Sequence, residues 1–202
     1  MRKQQGFTLI ELAIVLVIIG IIMGAVLKGK DLIENARIKK VATAVKQWEM
    51  YQWAFYDRMG RYAGDQDKSG IIGDNSTTDN AKTDLENAHF INPPDTNAIT
   101  SGSNTFYVFY GYYNGTDGKD HNALILCASS DCSASFDNDT LPYLTSIDRI
   151  VDGSVGTGGN VFCTSSSFAG SSTKWIATLT SNPTLVECYN GTASIKALVY
   201  KF

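Results

Sequence analysis

The apolar and polar positions of the chain change their spacing at about residue 28 and again near residue 60. Residues 7–27 form an apolar run of 21 residues that is almost entirely long aliphatic side chains and carries Glu11 as its single charge. A helix of that length spans about 31 Å, which matches the hydrocarbon core of a bilayer. The first pattern therefore predicts a membrane-spanning helix.

The helical pattern continues beyond this run, but with one apolar face only. The residues predicted to face the core recur at steps of three and four: Ile38, Val41, Val45, Trp48, Gln52, Phe55 and Met59. This spacing is typical of an amphipathic helix that packs on a globular head. Because Gly60 is a suitable helix stop, we predict a single helix over residues 7–59.

The rest of the chain has the composition of a head built on a sheet. A long polar connection covers residues 60–104, and short β-branched and aromatic runs then alternate with Gly, Asn and Ser turns. The predicted strands are residues 105–110, 123–127, 174–180, 184–189 and 195–202. We therefore predict an α+β fold, in which the helix packs on an antiparallel sheet within residues 105–202 of a head at 60–202.

The junction between Gly6 and Phe7 separates a short basic leader, with Arg2 and Lys3, from the apolar run. An ordinary secretory signal has its cleavage site after the apolar region, whereas this junction precedes it. A plain membrane anchor leaves Glu11 unexplained, since a carboxylate at a membrane helix centre costs about 2.5–3.5 kcal/mol on insertion scales. Positive charge in the leader favours a cytoplasmic N-terminus.

The segment GFTLIEL, residues 6–12, resembles the class III signal of type IV prepilins and type II secretion pseudopilins. The resemblance covers about residues 1–60. It implies that an inner-membrane prepilin peptidase removes residues 1–6 by cutting after Gly6 and then methylates the new amino terminus, Phe7. It also implies that residues 7–27 serve twice, as transmembrane segment and as polymerisation segment.

Glu11 becomes the fifth residue of the processed chain, about one helical turn from the ammonium group of Phe7. A carboxylate and an ammonium in apolar surroundings each lack solvation, and pairing them between neighbouring subunits satisfies both. We therefore predict that Glu11 directs assembly. The expected partners are other copies of this chain in a helical homopolymer, prepilin peptidase, the assembly platform of a pilus or secretion system, and the inner membrane before assembly.

Three functions remain open. The first is a structural subunit of a type IV pilus-like surface filament, of the kind used in cell adhesion and motility. The second is a type II secretion pseudopilin, which a resemblance of residues 148–159 to pseudopilin heads favours. The third is a membrane-anchored binding module with an extracellular head. In each case the precursor is a single-pass inner-membrane protein with its head outside the cytoplasm. A pilus subunit would then form an extracellular filament, and a pseudopilin would form a periplasmic pseudopilus.

Four cysteines lie in the exported part of the chain: Cys127, Cys132, Cys163 and Cys188. This number suggests two disulfides formed in an oxidising compartment, with free thiols as the alternative. Three pairings are possible. We favour Cys127–Cys132 with Cys163–Cys188, because these pairs are nested least and close short loops.

A loop after the helix imitates a calcium-binding loop, with oxygen-bearing side chains at positions 1, 3 and 5 and glycine at position 6. The predicted ligands are side-chain oxygens of Asp65, Asp67 and Ser69 and the backbone carbonyl of Ile71. The bidentate acid expected at position 12 is replaced by Ser76, so that Asp74 or Asp79 has to substitute for it. A solvated Asp/Gly turn is the alternative interpretation.

Other chemistry is not indicated. The net charge of −3 does not favour a nucleic-acid partner. The two histidines, His89 and His121, have neither catalytic nor metal-ligand spacing, and no nucleophile motif or phosphate loop occurs. We therefore expect no enzymatic activity and no required cofactor, calcium remaining an optional ligand.

Overall fold

The computed structural model describes residues 8–90, 92–153, 156–189 and 194–202. Within these ranges it has three helices, α1 (Leu9–Met59), α2 (Ala81–Asn87) and α3 (Leu141–Asp152). The eight strands of the same ranges are β1 (Ala98–Ser101), β2 (Asn104–Asn114), β3 (Asp120–Cys127), β4 (Val161–Thr164), β5 (Ala169–Ser171), β6 (Ile176–Leu179), β7 (Leu185–Val186) and β8 (Ala197–Lys201). The chain divides into two compact units, Met1–Arg37 and Ile38–Phe202, and α1 contributes to both.

The described part of the first unit, residues 8–37, contains the apolar run of α1. Its large aliphatic side chains are exposed, from 47% at Ile19 to 86% at Leu9. By length and composition α1 is able to cross a membrane, and its most apolar 18-residue window has a mean hydropathy of 2.9 with no residue buried. Soluble proteins rarely expose an apolar surface this large to water. It marks a surface that lipid or other protein chains cover.

In the second unit, α1 buries the predicted face. Val41, Val45, Trp48, Gln52 and Phe55 are all buried, which confirms most of the periodic pattern. The prediction for Met59 was wrong, since its side chain is 51% exposed. The helix ends at that residue, and Gly60, with φ of 67°, turns the chain away and leaves the last apolar side chain uncovered.

The sheet confirms the α+β class and adds one unpredicted pairing. The strand order is β5-β6-β2-β3-β8-β4-β7, and β1 pairs with the first part of β2. Among the described strands every pairing is antiparallel except β2 with β6, which is parallel. A parallel pair requires a crossover, and the chain between β2 and β6 supplies it with β3, α3, β4 and β5.

Several elements lie where none was predicted. The polar connection at 60–104 contains α2 and β1, while the predicted sheet region contains α3. Asn80 caps α2 by accepting a hydrogen bond from the Thr83 N–H, 3.1 Å away. Elements as short as α2 and β1 depend on caps and tertiary contacts, and their sequences are too short to show periodicity. The longer α3 is amphipathic and buries Tyr143, Leu144, Ile147 and Asp148. The predicted strands at 174–180, 184–189 and 195–202 exist but are shorter.

The two faces of the sheet carry two separate cores. One core includes the α1 residues, and there Tyr110 donates a hydrogen bond of 2.6 Å to the carbonyl of Trp48. Trp48 also packs edge-on against Trp175, with ring centroids 5.4 Å apart. The other face has its own cluster, around Phe109, Ile125 and other side chains that alternate with the first set along each strand. The sheet is therefore covered on both sides.

Two disulfides join the cysteines in the pairing that the sequence favours. Cys127–Cys132 links the end of β3 to the following turn, and Cys163–Cys188 links β4 to the segment after β7. The Cα atoms are 5.1 Å apart in both, and no cysteine of the chain remains free. Such cross-links stabilise the head by restricting its unfolded state.

A largely buried ion pair fastens the end of α1 to α2. The Arg61 guanidinium donates to both Asp84 carboxylate oxygens, at 2.7 and 2.8 Å, and Asp84 also accepts from the Gly64 N–H at 2.8 Å. The Asp84 carboxylate holds the pKa of Arg61 above its usual value.

Because removing one partner leaves the other charge buried, Asp84→Ala is expected to lower the free energy of unfolding by about 3 kcal/mol. Urea unfolding of the full chain in detergent measures this. The control is Glu86→Ala, which breaks the exposed pair with Lys82 and is expected to cost less than about 0.5 kcal/mol. Equal effects of the two substitutions would contradict a structural role for the Arg61–Asp84 pair.

Candidate functional site

The functional candidate at the start of the chain is the first turn of α1. Gly6 and Phe7, the predicted cleavage and methylation residues, lie outside the described residues. Glu11 lies within them, and its Oε2 accepts hydrogen bonds from both the Thr8 N–H and the Thr8 hydroxyl, each 2.8 Å long. The Glu11 N–H in turn donates to Thr8 Oγ1 at 3.4 Å.

This arrangement is a capping box, in which a threonine at the helix N-cap and a glutamate three residues later satisfy each other's backbone donors. The sequence interpretation assigned Glu11 to assembly alone and missed this second role. The signal was available, since residues 8–11 read Thr-x-x-Glu directly before an apolar helical run. Both bonds use Oε2, so capping does not engage the other carboxylate oxygen.

The residues around Glu11 on this unit are apolar and exposed. Ile10 and Leu12 are 68% and 55% exposed, and the aliphatic run continues through Val17. In lipid, these side chains are well solvated and the carboxylate is not. Capping offsets part of the carboxylate's desolvation, and among residues 8–90, 92–153, 156–189 and 194–202 no cation forms an ion pair with Glu11. The first turn of α1 is therefore suited to receive a cation.

Comparison with known proteins gives one match, and it falls on this segment. The family model described as the prokaryotic N-terminal methylation motif matches residues 1–27. No curated protein and no solved structure matches the chain significantly. The motif is the class III prepilin signal, typical of type IV pilins and pseudopilins. It indicates that the chain is the precursor of a type IV pilin-like protein or pseudopilin.

The motif has consequences for processing and location. A prepilin signal implies processing by prepilin peptidase, and with the apolar α1 it indicates a membrane-anchored precursor. Proteins with this motif are typically structural and not enzymatic. Cleavage after Gly6 and methylation of Phe7 stay predictions for this chain.

A second candidate site is the loop that follows α1. Asp65 is 2% exposed, and its carboxylate accepts from the Gly70 N–H at 3.1 Å and from the Ser69 hydroxyl at 3.4 Å. Asp67 accepts from the Ser69 N–H at 3.2 Å, and the Ile71 carbonyl lies 3.4 Å from the Ser69 hydroxyl. The four predicted oxygen donors therefore lie in one tight turn.

The acids beyond this turn also approach it. One carboxylate oxygen from each of Asp67, Asp74 and Asp79 lies within 4.8 Å of the others. Burial raises the pKa of Asp79, and the nearby Asp67 and Asp74 carboxylates raise it further. Burial likewise raises the pKa of Asp65. Oxygen donors of this kind suit a hard cation such as Ca²⁺, and calcium binding by the loop stays a prediction.

If the loop binds calcium, Ca²⁺ at about 100 times its Kd is expected to stabilise the protein by about 2.7 kcal/mol. Thermal melting of the full chain with and without Ca²⁺ measures this, and titration calorimetry measures the binding. Asp67→Asn is expected to remove the stabilisation, whereas Asp95→Asn, at an exposed position outside the loop, is expected to retain it. Absence of both a binding heat and a melting shift would contradict the calcium prediction and favour a solvated turn.

Proposed function

We propose that this chain is a structural subunit of a type IV pilus-like surface filament, assembled through α1 after prepilin peptidase removes residues 1–6. The observation that carries the proposal is Glu11, a single carboxylate one helical turn after the cleavage junction in an otherwise apolar segment. A passive anchor needs this side chain only as a helix cap, and an uncharged glutamine serves a capping box as well as glutamate does. A polymer has one, because each processed subunit brings a new ammonium group into the same apolar surroundings.

The proposed mechanism follows from the change in surroundings of the apolar segment. Before assembly, lipid covers the exposed aliphatic side chains of the first unit. In the filament, the same side chains pack against those of other subunits, so that little apolar surface is newly exposed to water on leaving the bilayer. The Glu11 carboxylate then pairs with the Phe7 amine of a neighbouring subunit. The pair fixes the axial register, which apolar packing alone specifies weakly.

Exposed aromatic residues on the second unit support contacts between heads. Trp53 and Tyr56 are 39% and 38% exposed and have ring centroids 6.1 Å apart. Tyr62 and Phe202 extend the cluster, each within 6.3 Å of Trp53. Aromatic side chains are enriched in protein interfaces. We propose that neighbouring heads in the filament bury part of this cluster.

We favour a surface pilus over a type II secretion pseudopilus because the head is long and rich in Ser, Thr, Gly and Asn. Its two disulfides suit either location, since the cell exterior and the periplasm are both oxidising. The resemblance of residues 148–159 to pseudopilins has a local structural explanation here. Asp152 accepts from the Asn160 and Val161 N–H groups, and Asp148 accepts from the Gly156 N–H, so these acids hold the glycine-rich loop. The segment therefore gives little independent support to a secretion role.

Electron microscopy of fibres sheared from cells, combined with peptide sequencing of the fibre material, tests the proposal. We expect fibres that contain this chain as a repeating component. Finding the chain only in the periplasm, in cells whose secretion depends on it, would favour the pseudopilus. Finding it only as unassembled membrane protein would favour the anchored binding module.

A further inference from the structure

The strand register places a row of chemically varied side chains at one end of the sheet face that lies opposite α1. Tyr113 pairs with His121 between β2 and β3. Phe162 of β4 pairs with Val199 of β8, and Lys201 lies two residues beyond Val199 on the same strand. Because side chains two apart on a strand share a face, all of these belong to the face that carries the second core.

Tyr113, His121, Phe162 and Lys201 line a groove of about 370 Å³. Its walls are the β2–β3 turn, the glycine pair Gly158 and Gly159, and the segment Asn182–Leu185 before and within β7. Small-molecule sites in proteins have volumes of about 300–1,000 Å³. The groove is therefore large enough for one sugar-sized ligand, and it lies wholly within the second unit.

The groove contains packed aromatic rings. The His121 imidazole stacks on the Tyr113 ring, with centroids 5.4 Å apart and an interplanar angle of 25°. Phe162 meets Tyr113 edge-on at the same centroid distance. Tyr113 and Phe162 are 6% and 4% exposed, so their positions are fixed by packing, while His121 and Leu185 remain accessible. The apolar wall open to a ligand is therefore formed by the accessible Leu185 and His121 side chains, with the buried rings fixed behind them.

Polar groups at the groove are fixed as well. Asp117 Oδ1 lies 2.9 Å from His121 Nε2 and also accepts from the Lys119 N–H. A Cβ at Gly115 would lie only 2.7 Å from both Asp117 Oδ1 and His121 Cδ2, so the turn needs glycine to bring this pair together. Both contacts use Asp117 Oδ1, so the hairpin fixes the position of this carboxylate at the groove.

Two further groups have unused hydrogen-bonding capacity. Burial raises the pKa of Tyr113 to about 12, so its hydroxyl stays protonated and able to donate. Among the described residues this hydroxyl is not one of the buried polar atoms that lack a partner, and Tyr113 lines the groove, so the hydroxyl is open to a ligand there. The Lys201 ammonium lies 5.9 Å from the Phe162 ring centroid and, among the described residues, has no carboxylate partner.

We propose that this groove binds an acidic sugar unit, a hexuronic acid, with its carboxylate on Lys201 and its hydroxyls on Tyr113 and the Asp117–His121 pair. A sugar ring has both an apolar face and a hydroxyl edge, which match the apolar and polar walls. The Lys201 ammonium supplies one positive charge, which matches the single negative charge of a hexuronate. A phosphate dianion would bring two negative charges to that one ammonium, beside the Asp117 carboxylate. The proposed filament would then carry a saccharide site on the sheet face away from α1.

Ligand-observed saturation-transfer NMR with the full chain in micelles tests this site. The micelle must be a non-sugar detergent such as an amine oxide, since glycoside detergents would compete. The probes are methyl β-D-glucuronide and methyl β-D-glucoside, which differ only in the oxidation state of C6. We expect the glucuronide to bind at least about tenfold more tightly than the glucoside, because the carboxylate gains a charge-assisted bond.

Matched variants locate the binding. Lys201→Met is expected to weaken glucuronide binding at least about tenfold, and Tyr113→Phe about fivefold through loss of the hydroxyl. Lys39→Met removes the same charge from an exposed position on α1, away from the groove, and it is expected to change nothing. Thermal melting of each variant checks that it folds.

Three outcomes overturn the proposal: no saturation transfer to the glucuronide, equal binding of glucuronide and glucoside, or equal binding of glucuronide and acetate, which would mean simple anion attraction. The experiment uses unassembled protein in micelles. A failure here therefore leaves the filament proposal intact, and a failure of assembly leaves this result interpretable.

Discussion

Glu11→Ala is expected to leave the precursor inserted and processed but to stop its incorporation into filaments. The substitution makes the apolar segment more apolar, so insertion is favoured. In the filament, however, the Phe7 ammonium would then be buried without a counterion. Breaking a buried ion pair from one side costs about 3–5 kcal/mol, which corresponds to a loss of roughly a hundredfold or more in the equilibrium for adding each subunit.

The matched control is Thr8→Val. The structure gives Glu11 a capping bond with Thr8, so Glu11→Ala removes both a cap and a charge. Thr8→Val removes the capping hydroxyl and retains the carboxylate, and it is expected to cost about 1 kcal/mol of helix stability while filaments still form. The yield of sheared fibres, normalised to processed protein in the membrane, measures both variants. Normal fibre yield from Glu11→Ala alone would contradict the charge-pairing mechanism.

Gly111→Ala is expected to have the largest effect on the stability of the head. Gly111 lies in β2 opposite Ala177 of the parallel strand β6. A Cβ at this position would lie 1.7 Å from the Ala177 carbonyl oxygen and 3.1 Å from the Ile125 Cδ1 atom. The clash is with backbone, so no side-chain rotation relieves it. We expect a loss of more than about 4 kcal/mol, in the range of exceptional point substitutions.

The comparison for that variant is Gly158→Ala, where an added Cβ meets no atom within 4 Å and φ lies outside the left-handed region. Its effect on the free energy of unfolding is expected to stay within about 0.5 kcal/mol. Urea unfolding of both variants, followed through the fluorescence of buried Trp48 and Trp175, measures the difference. Similar unfolding midpoints for the two would mean that β6 does not pack against Gly111 as described.

The features that the sequence predicted well have a local physical cause. The apolar run and the three-four spacing that buries Val41, Val45 and Trp48 identify α1 because helical periodicity shows within one continuous segment. Gly60 marks its end because the left-handed conformation favours glycine. The fold class followed from these segments and from the β-branched runs after residue 104.

The features that the sequence did not predict depend on residues far apart in the chain. The parallel pairing of β2 with β6 brings Gly111 against Ala177, and no local pattern encodes that meeting. The groove brings Tyr113, His121 and Lys201 together only through the pairing of β2, β3 and β8. Because that pairing is not visible in the sequence, no partner was predicted for His121. The Thr8–Glu11 capping box, in contrast, was readable, and it was missed because the family resemblance supplied another role for Glu11.

The two roles of Glu11 fit together if capping and pairing use different oxygens. In the structure, Oε2 satisfies Thr8. The second oxygen can then accept from an incoming ammonium without uncapping the helix. On this account the precursor holds the carboxylate in a fixed orientation before assembly, which reduces the conformational entropy lost when the pair forms.

Mass spectrometry of the N-terminal peptide from fibre material tests the proposed assembly mechanism, because pairing with Glu11 requires a free amine at residue 7. We expect a peptide that begins at Phe7 and carries one methyl group on its amine. A peptide that still begins at Met1 and includes the leader would contradict both the processing and the assembly mechanism built on it.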